Sequence, residues 1–257
     1  NMMAQQIKSQ IAIIEDDAKT KVLYQKQKVE QLKILNLLRT SELKSLQMQM
    51  NPHFLFNTLN MIAKTAYMEE ADKTVFLLKK TSQLLRYSLD YMGKSVTLGQ
   101  ELESLGNYVY LQEQRFGKRI SFEFDLDESF HQTKVPCLIL QPLVENSMIH
   151  GVGASVEGGQ ILIQTRYDRE TGRGMIRIAD NGRGMDEQTL ETVRKRLTSD
   201  EEQREKLGLA NVYRRIQIFF EEKAEIVIRS RAQEGTTVEI MIPVKEREEE
   251  YVEASDC

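Results

Sequence analysis

Residues 141–151 read Gln-Pro-Leu-Val-Glu-Asn-Ser-Met-Ile-His-Gly, and this apolar run with a few polar residues predicts a helix. Asn146 and His150 are one helical turn apart and therefore share a face, while Glu145 is offset from Asn146 by about 100°. Polar residues on an apolar helix that ends at Gly151 predict a helix that lines a polar pocket. The alternative is a capped core helix whose polar groups are all hydrogen-bonded within the protein.

A second segment, Asp180-Asn181-Gly182-Arg183-Gly184-Met185, directly follows a predicted strand. Two glycines spaced by one residue allow a backbone to pass close to a ligand. Asp-Asn-Gly is also common turn chemistry, so a plain turn is the alternative. Taken singly, each of the two motifs is a weak indication of a ligand site.

Around these motifs the sequence predicts an α+β domain, with helices against a mainly antiparallel sheet. Apolar periodicity predicts helices at 99–115, 136–150, 186–197 and 209–221. Alternation of apolar and polar residues predicts strands at 120–126, 161–165, 175–179, 225–229 and 237–242. The charged residues 198–206 are predicted to form a loop, and the acidic end after Val244 a disordered tail.

The first 92 residues have a different composition, because all fourteen glycines lie at or after Gly93 and only Pro52 interrupts the earlier part. Glycine and proline mark turns, so this part is predicted to be long helix. Apolar residues from Ile7 to Met50 are spaced mostly by three and four, which predicts a coiled coil. A further helix at 71–91 would complete a helical hairpin, and two hairpins make a four-helix bundle, so a homodimer is expected.

Residues 51–62 read Asn-Pro-His-Phe-Leu-Phe-Asn-Thr-Leu-Asn-Met-Ile, and the proline predicts a bend in the helix. His53 and Asn57 are four residues apart and share a face. A single histidine at helical spacing is usually structural, so this pair alone indicates little about function.

Composition excludes several classes of protein. A net charge of −4 makes nucleic acid an improbable main partner. Cys137 and Cys257 are far apart, which predicts a reducing compartment and neither a disulfide framework nor a zinc site. No apolar run is long enough for a transmembrane helix, and no signal peptide is recognisable. A chain that begins with Asn1 is expected to be a fragment of a longer protein.

The order of five motifs resembles the LytS/YesM-type sensor histidine kinases from about Leu43 to Pro243. These motifs are 51–57, 141–146, 180–185, the run Leu-Gly-Leu-Ala-Asn-Val-Tyr-Arg-Arg-Ile at 207–216, and Glu-Gly-Thr-Thr-Val-Glu-Ile-Met-Ile-Pro at 234–243. The resemblance implies a coiled-coil signalling helix (1–42), a dimerisation and His-phosphotransfer hairpin (43–93), a GHKL (Bergerat) α/β sandwich that binds ATP (94–247), and an acidic tail (248–257). The linker around 92–98 would then allow the ATP-binding domain to move.

The same resemblance implies roles for individual residues. His53 would be the phosphoacceptor, Asn146 the Mg²⁺ ligand and Asp180 the acceptor for the adenine amino group. Asn57 would position a water or make a bundle hydrogen bond, and Glu145 is the candidate for the group that accepts the His53 proton. The other residues assigned to the nucleotide are His150, Gly151, Gly182, Gly184, Met185, Gly208, Leu209, Asn211, Thr236 and Thr237.

The implied activity is ATP-dependent autophosphorylation, followed by transfer to an aspartate of a response regulator. An N-terminal membrane sensor would be missing from this chain, which would act on the cytoplasmic side of a bacterial membrane. Two alternatives remain: a GHKL ATPase, and a nucleotide-binding coiled-coil scaffold without kinase activity. Pro142 argues against hydrolysis, because GHKL ATPases have a water-activating glutamate four residues before the Mg²⁺-binding asparagine. The intact Asn146, Asp180 and glycines argue against the scaffold.

Overall fold

The computed structural model describes residue 28 and residues 52–153, 158–198 and 208–244. The chain divides into two compact units, residues 1–58 and 59–257. Apart from residue 28, the predicted coiled coil lies outside the described residues, and so do the acidic tail and nearly all of the predicted loop at 198–206. Among the described helices, none is long and apolar enough to cross a membrane.

Two helices begin the described chain: α1 comprises Pro52–Met68 and α2 comprises Asp72–Tyr91. A short turn joins them, in which Glu70 has a φ of 55°. The predicted helix at 71–91 is therefore confirmed. Large apolar side chains remain exposed on both helices, among them Phe54, Met61, Tyr67 and Met68 on α1.

The main sheet has five strands in the order β2-β4-β5-β7-β6. Its strands are β2 (Ile120–Asp125), β4 (Gly159–Asp168), β5 (Arg173–Asp180), β6 (Glu225–Arg231) and β7 (Gly235–Pro243). Only β2 and β4 pair in parallel, and the other pairs are antiparallel. The prediction of a mainly antiparallel sheet from five strands is confirmed.

One face of this sheet is buried under helices, as the alternating burial of β5 shows. The helices are α3 (Leu98–Phe116), α4 (Leu140–Asn146), α5 (Glu187–Thr198) and α6 (Gly208–Phe219), and a π-helical segment (Ser147–Val152) follows α4 directly. Fully buried isoleucines contribute much of the core, among them Ile161, Ile163, Ile176, Ile178, Ile216, Ile240 and Ile242.

The predicted helix at 136–150 is wrong at its start. Residues Lys134–Pro136 form a strand, β3, and α4 begins only at Leu140. The carboxylate of Glu101 causes this delay, because it accepts the backbone N–H groups of Leu138, Ile139 and Leu140. Leu138 also has a φ of 55°, which a continuous helix excludes.

The predicted linker at 92–98 contains ordered structure. Ser95–Thr97 form a strand, β1, that pairs antiparallel with β3. Val96 and Leu98 are fully buried. Thr97 then caps α3 by a reciprocal capping box with Gln100. The chain directly after Gly93 is therefore part of the sheet domain.

Helix α2 packs along α3. The rings of Phe76 and Tyr110 meet edge to face at 4.9 Å between centroids, and the Lys80 ammonium donates to Asn107 at 2.7 Å. Further along, the hydroxyl of Tyr87 donates to the Glu101 carboxylate. Contacts thus cross the predicted boundary between hairpin and sheet domain near Gly93.

Candidate functional site

A cavity of about 270 Å³ opens between the α4 and π-helical segment and the ends of β5, β6 and β7. Its lining combines polar side chains with aliphatic ones. The lining residues are Leu143, Asn146, Ser147, His150, Gly151, Asp180, Arg183, Gly184, Met185, Thr189, Val193, Leu209, Ile228, Thr236 and Val238.

Asp180 is the buried carboxylate of the cavity, with 7% of its surface exposed. It ends β5 and accepts the backbone N–H of Gly182 at 3.0 Å and that of Thr236 at 3.3 Å. The Ser147 hydroxyl is a third donor. Burial raises the pKa of Asp180 above its usual range, and these hydrogen bonds oppose the shift. The carboxylate is thus held in one orientation while one side of it faces the cavity.

Glycines are required around Asp180 because a Cβ there would collide with backbone atoms or with the Asp180 carboxylate itself. A Cβ on Gly151 would lie 2.5 Å from Asp180 Oδ1, and a Cβ on Gly182 would lie 2.2 Å from the Gly151 carbonyl carbon. Gly184 and Gly235 have φ values of +61° and +94°, and a Cβ on Gly235 would lie 1.8 Å from the Asp180 backbone oxygen. The two glycine-bearing motifs of the sequence therefore pack directly against each other.

Asn146 and His150 both line the cavity, as their spacing predicts. Asn146 ends α4, and its buried Nδ2 has no hydrogen-bond partner among the described residues. A buried polar atom without a partner is costly unless a ligand or water satisfies it. His150 lies in the π-helical segment and is exposed, and its backbone carbonyl accepts Arg183 Nε at 2.8 Å.

Most of the residues assigned to the nucleotide by resemblance line the cavity, but some do not. Gly182 lies beneath it against Gly151, and Gly208 faces Pro142 at the start of α6. Asn211 is exposed on α6. Thr237 pairs with Ala179 and Arg229 in the sheet, one position beyond the cavity-lining Thr236.

Glu145 does not line the cavity. Its carboxylate accepts Gln141 Nε2 at 2.8 Å and lies beside Tyr108. Burial and the nearby Glu145 carboxylate raise the pKa of Tyr108. The geometry around Glu145 is therefore that of a side chain fixed by its neighbours on α3 and α4.

His53 and Asn57 lie together on α1, where both are exposed. Asn57 Nδ2 is 3.3 Å from His53 Nδ1 and 3.2 Å from Nε2. The amide therefore contacts the imidazole ring directly, as the four-residue spacing predicts, and restricts its rotation.

Sequence reasoning missed several residues of the site. Ser147 and Arg183 lie inside the motifs and line the cavity, yet neither was assigned a role. Gly235 was quoted only as part of a motif, although it directly precedes Thr236 and packs on Asp180. The aliphatic wall from α5 and β6 carries no recognisable motif.

The residues present fit a magnesium ion. Mg²⁺ prefers oxygen ligands and usually keeps several waters, so one amide oxygen next to substrate phosphates suffices. Asn146 supplies such an amide at the cavity wall. Among the described residues there is no cluster of three or more His, Cys, Asp or Glu that would form a protein-only metal cage.

Comparison with known families agrees with this geometry. Residues 133–246 match the histidine kinase-, DNA gyrase B- and HSP90-like ATPase model, and residues 41–120 match the histidine kinase model. The cavity and sheet thus define an ATPase-type nucleotide domain that follows a histidine kinase segment. The chain belongs to the histidine kinase family.

Named relatives include sensor histidine kinase YpdA of Escherichia coli, which is 31% identical over 84% of this chain and 36% of its own length. Sensor histidine kinase YesM of Bacillus subtilis is 33% identical over 81% of this chain and 34% of its own. Sensor protein LytS of Staphylococcus saprophyticus is 32% identical over 86% of this chain and 37% of its own length. The chain thus spans little more than a third of these relatives. A solved histidine kinase domain from Erythrobacter litoralis matches with a TM-score of 0.42 and 17% identity, covering 76% of this chain and 86% of that chain.

Proposed function

We propose that this chain is the kinase portion of a two-component sensor, which transfers the γ-phosphoryl group of ATP to His53 and then to an aspartate of a response regulator. The observation that carries the proposal is the cavity around Asp180, where a buried, oriented carboxylate and closely packed glycines lie beside the unsatisfied amide of Asn146. A purely structural role would not require the Asp180 carboxylate and the Asn146 amide to line a cavity. Binding of a nucleotide accounts for both positions.

Asp180 would accept the adenine amino group, since it is the acidic side chain that lines the cavity. The glycines beneath it let the base approach the backbone. Leu209 lines the cavity at the first turn of α6, where free N–H groups and the helix dipole favour phosphate oxygens. Asn146 would hold Mg²⁺, which neutralises phosphate charge when bound.

His53 would act as the nucleophile through a neutral ring nitrogen. The nitrogen–phosphorus bond forms as the bond from the γ-phosphorus to the bridging oxygen of ADP breaks, and the ring proton leaves to a base. Asn57 restricts the ring through its amide, 3.2 Å from Nε2. Such orientation matters because phosphoryl transfer depends mainly on positioning and charge stabilisation. Glu145 and Asn57 stay candidates for the base and for a water-positioning group.

The exposed apolar residues of α1 support a homodimer as part of the proposal. Met61 is 63% exposed, Tyr67 is 70% exposed and Met68 is 84% exposed, so several large apolar side chains of one helix face solvent together. Pairing two hairpins into a four-helix bundle would cover them. The proposed domains are the signalling helix (1–42), the hairpin (43–93), the ATP-binding domain (94–247) and the tail (248–257). A membrane-anchored sensor part would place the chain on the cytoplasmic side of the membrane.

Incubation with γ-labelled ATP and Mg²⁺ tests the proposal. We expect label on the protein that is stable in base and labile in acid, as a phosphohistidine is. His53→Gln should abolish the label, and His131→Gln, a histidine substitution outside the cavity, should retain it. Label on the His53→Gln variant, or none on the wild type, would overturn the kinase assignment. Phosphate release without labelled protein would instead support the ATPase alternative.

A further inference from the structure

Glu101 is a buried carboxylate, 2% exposed, that lies at the N-terminal end of α4. It accepts the backbone N–H groups of Leu138 at 2.9 Å, Ile139 at 2.6 Å and Leu140 at 3.0 Å. The fourth donor is the hydroxyl of Tyr87. Three donors thus come from the chain that enters α4, and one comes from α2.

This arrangement compensates a charge that would otherwise be costly to bury. A carboxylate at a helix N-terminus is stabilised by the free N–H groups and by the helix dipole. Burial and the Glu101 carboxylate raise the pKa of Tyr87, so its phenol stays protonated and remains a donor. The Tyr87 hydroxyl is therefore a fixed part of the cluster that positions α4.

The far end of α4 is Asn146, at the cavity wall. Because α4 has only seven residues, a shift at its N-terminus is transmitted to Asn146 through about two turns of rigid helix. Removal of the Tyr87 hydroxyl would thus alter the position of Asn146 without changing any residue that lines the cavity.

Other contacts hold the same segment from two more sides. The thiol of Cys137 donates to the backbone oxygen of Tyr91 at 2.7 Å. The backbone N–H of Cys137 donates to the backbone oxygen of Lys94 at 3.2 Å. The Arg215 guanidinium of α6 donates to the backbone oxygen of Cys137. The segment 137–140 is therefore the point where α2, α4 and α6 meet.

We propose that Tyr87 and Glu101 are positioning residues that couple the docking of α2 to the geometry of the nucleotide site. The proposal rests on the function proposed above and adds the route by which the histidine-bearing hairpin and the bound nucleotide influence each other. Coupling of two binding events is reciprocal, so nucleotide must also strengthen the docking of α2.

The test compares Tyr87→Phe with Tyr91→Phe in the full chain, using ADP with Mg²⁺ as the probe. Tyr91 packs on Tyr87 at 5.4 Å between ring centroids, so its substitution perturbs the same place but leaves the Glu101 cluster complete. Tyr87→Phe should raise the Kd for ADP about tenfold, the size expected for one hydrogen bond to a charged group. Tyr91→Phe should leave the Kd unchanged.

Hydrogen exchange distinguishes coupling from a purely structural role of Tyr87 and Glu101. In the wild type, saturating ADP should slow amide exchange in residues 80–91, and in Tyr87→Phe this effect of ADP should be lost although ADP still binds. Glu101→Gln should behave like Tyr87→Phe.

Equal ADP affinity of Tyr87→Phe and wild type would overturn the proposal, and so would an undiminished effect of ADP on residues 80–91 in that variant. A wild type that binds ADP but leaves His53 unlabelled refutes the proposed function alone, because the exchange data still decide the coupling. A wild type that binds no ADP refutes both.

Discussion

Gly151→Ala should damage the nucleotide site by displacing Asp180. The new Cβ would lie 2.5 Å from Asp180 Oδ1, whereas ordinary contact begins at 3.4 Å, so the carboxylate must move by about 0.9 Å. Such a movement stretches its bond from Gly182, now 3.0 Å, beyond good geometry. Overpacking of this kind costs about 1–3 kcal/mol. In a domain of this size that lowers Tm by roughly 2–12 °C.

The assay is ADP binding by calorimetry together with thermal unfolding. Loss of one well-oriented hydrogen bond to a charged acceptor corresponds to a Kd raised roughly 10- to 100-fold. Gly106→Ala is the matched control, since a Cβ there meets nothing within 4 Å and the residue lies inside α3. It should keep the wild-type Kd and gain about 0.5–1 kcal/mol of stability. Wild-type ADP affinity and Tm in Gly151→Ala would refute the reasoning.

The other predictions concern stability without nucleotide. Burial raises the pKa of Asp180, so the contribution of this residue to stability falls as the pH rises above 3.8. The Tm of Asp180→Asn should therefore improve relative to that of the wild type as the pH is raised. A pH-independent difference in Tm would contradict this. The pKa of Asp127 is shifted in the opposite direction, because hydrogen bonds from Ser129 lower it. The stabilisation by Asp127 is therefore lost as the pH falls through that lowered pKa, and Asp127→Asn should lose less stability in acid than the wild type. Thr97→Ala removes the cap of α3 and should cost about 1 kcal/mol in urea unfolding. The exposed Thr192→Ala should change stability by less than about 0.5 kcal/mol, and equal losses would contradict the capping role.

The strands could be predicted because one face of the sheet is buried. In β5 the alternation of buried and partly exposed residues is the pattern that the sequence displays at 175–179. The strands β1 and β3 have three residues each, which is too short for any periodicity to be read. Their pairing depends on tertiary contacts with the residues that flank α3.

The start of α4 could not be predicted from local sequence, because a side chain 37 to 39 residues away determines it. A signal for that side chain was nevertheless present. Glu101 lies on the same face of α3 as Leu98 and Leu105, where an apolar residue is expected, and an acid in that position indicates a buried partner. The π-helical segment has no comparable signal, since helical periodicity does not distinguish it from α-helix.

The pairing of β1 with β3 limits how the chain can bend near Gly93. Bending there would expose Val96 and Leu98, which are at most 1% exposed, at about 1.5–3 kcal/mol for each side chain. The two side chains together cost about 3–6 kcal/mol, which leaves the opened form at roughly 0.005–0.7% of molecules. Movement at this joint is consequently a local unfolding event with its own rate, on a scale of microseconds or slower. Each opening of the joint therefore requires the three residues of β1 to leave a two-stranded ladder.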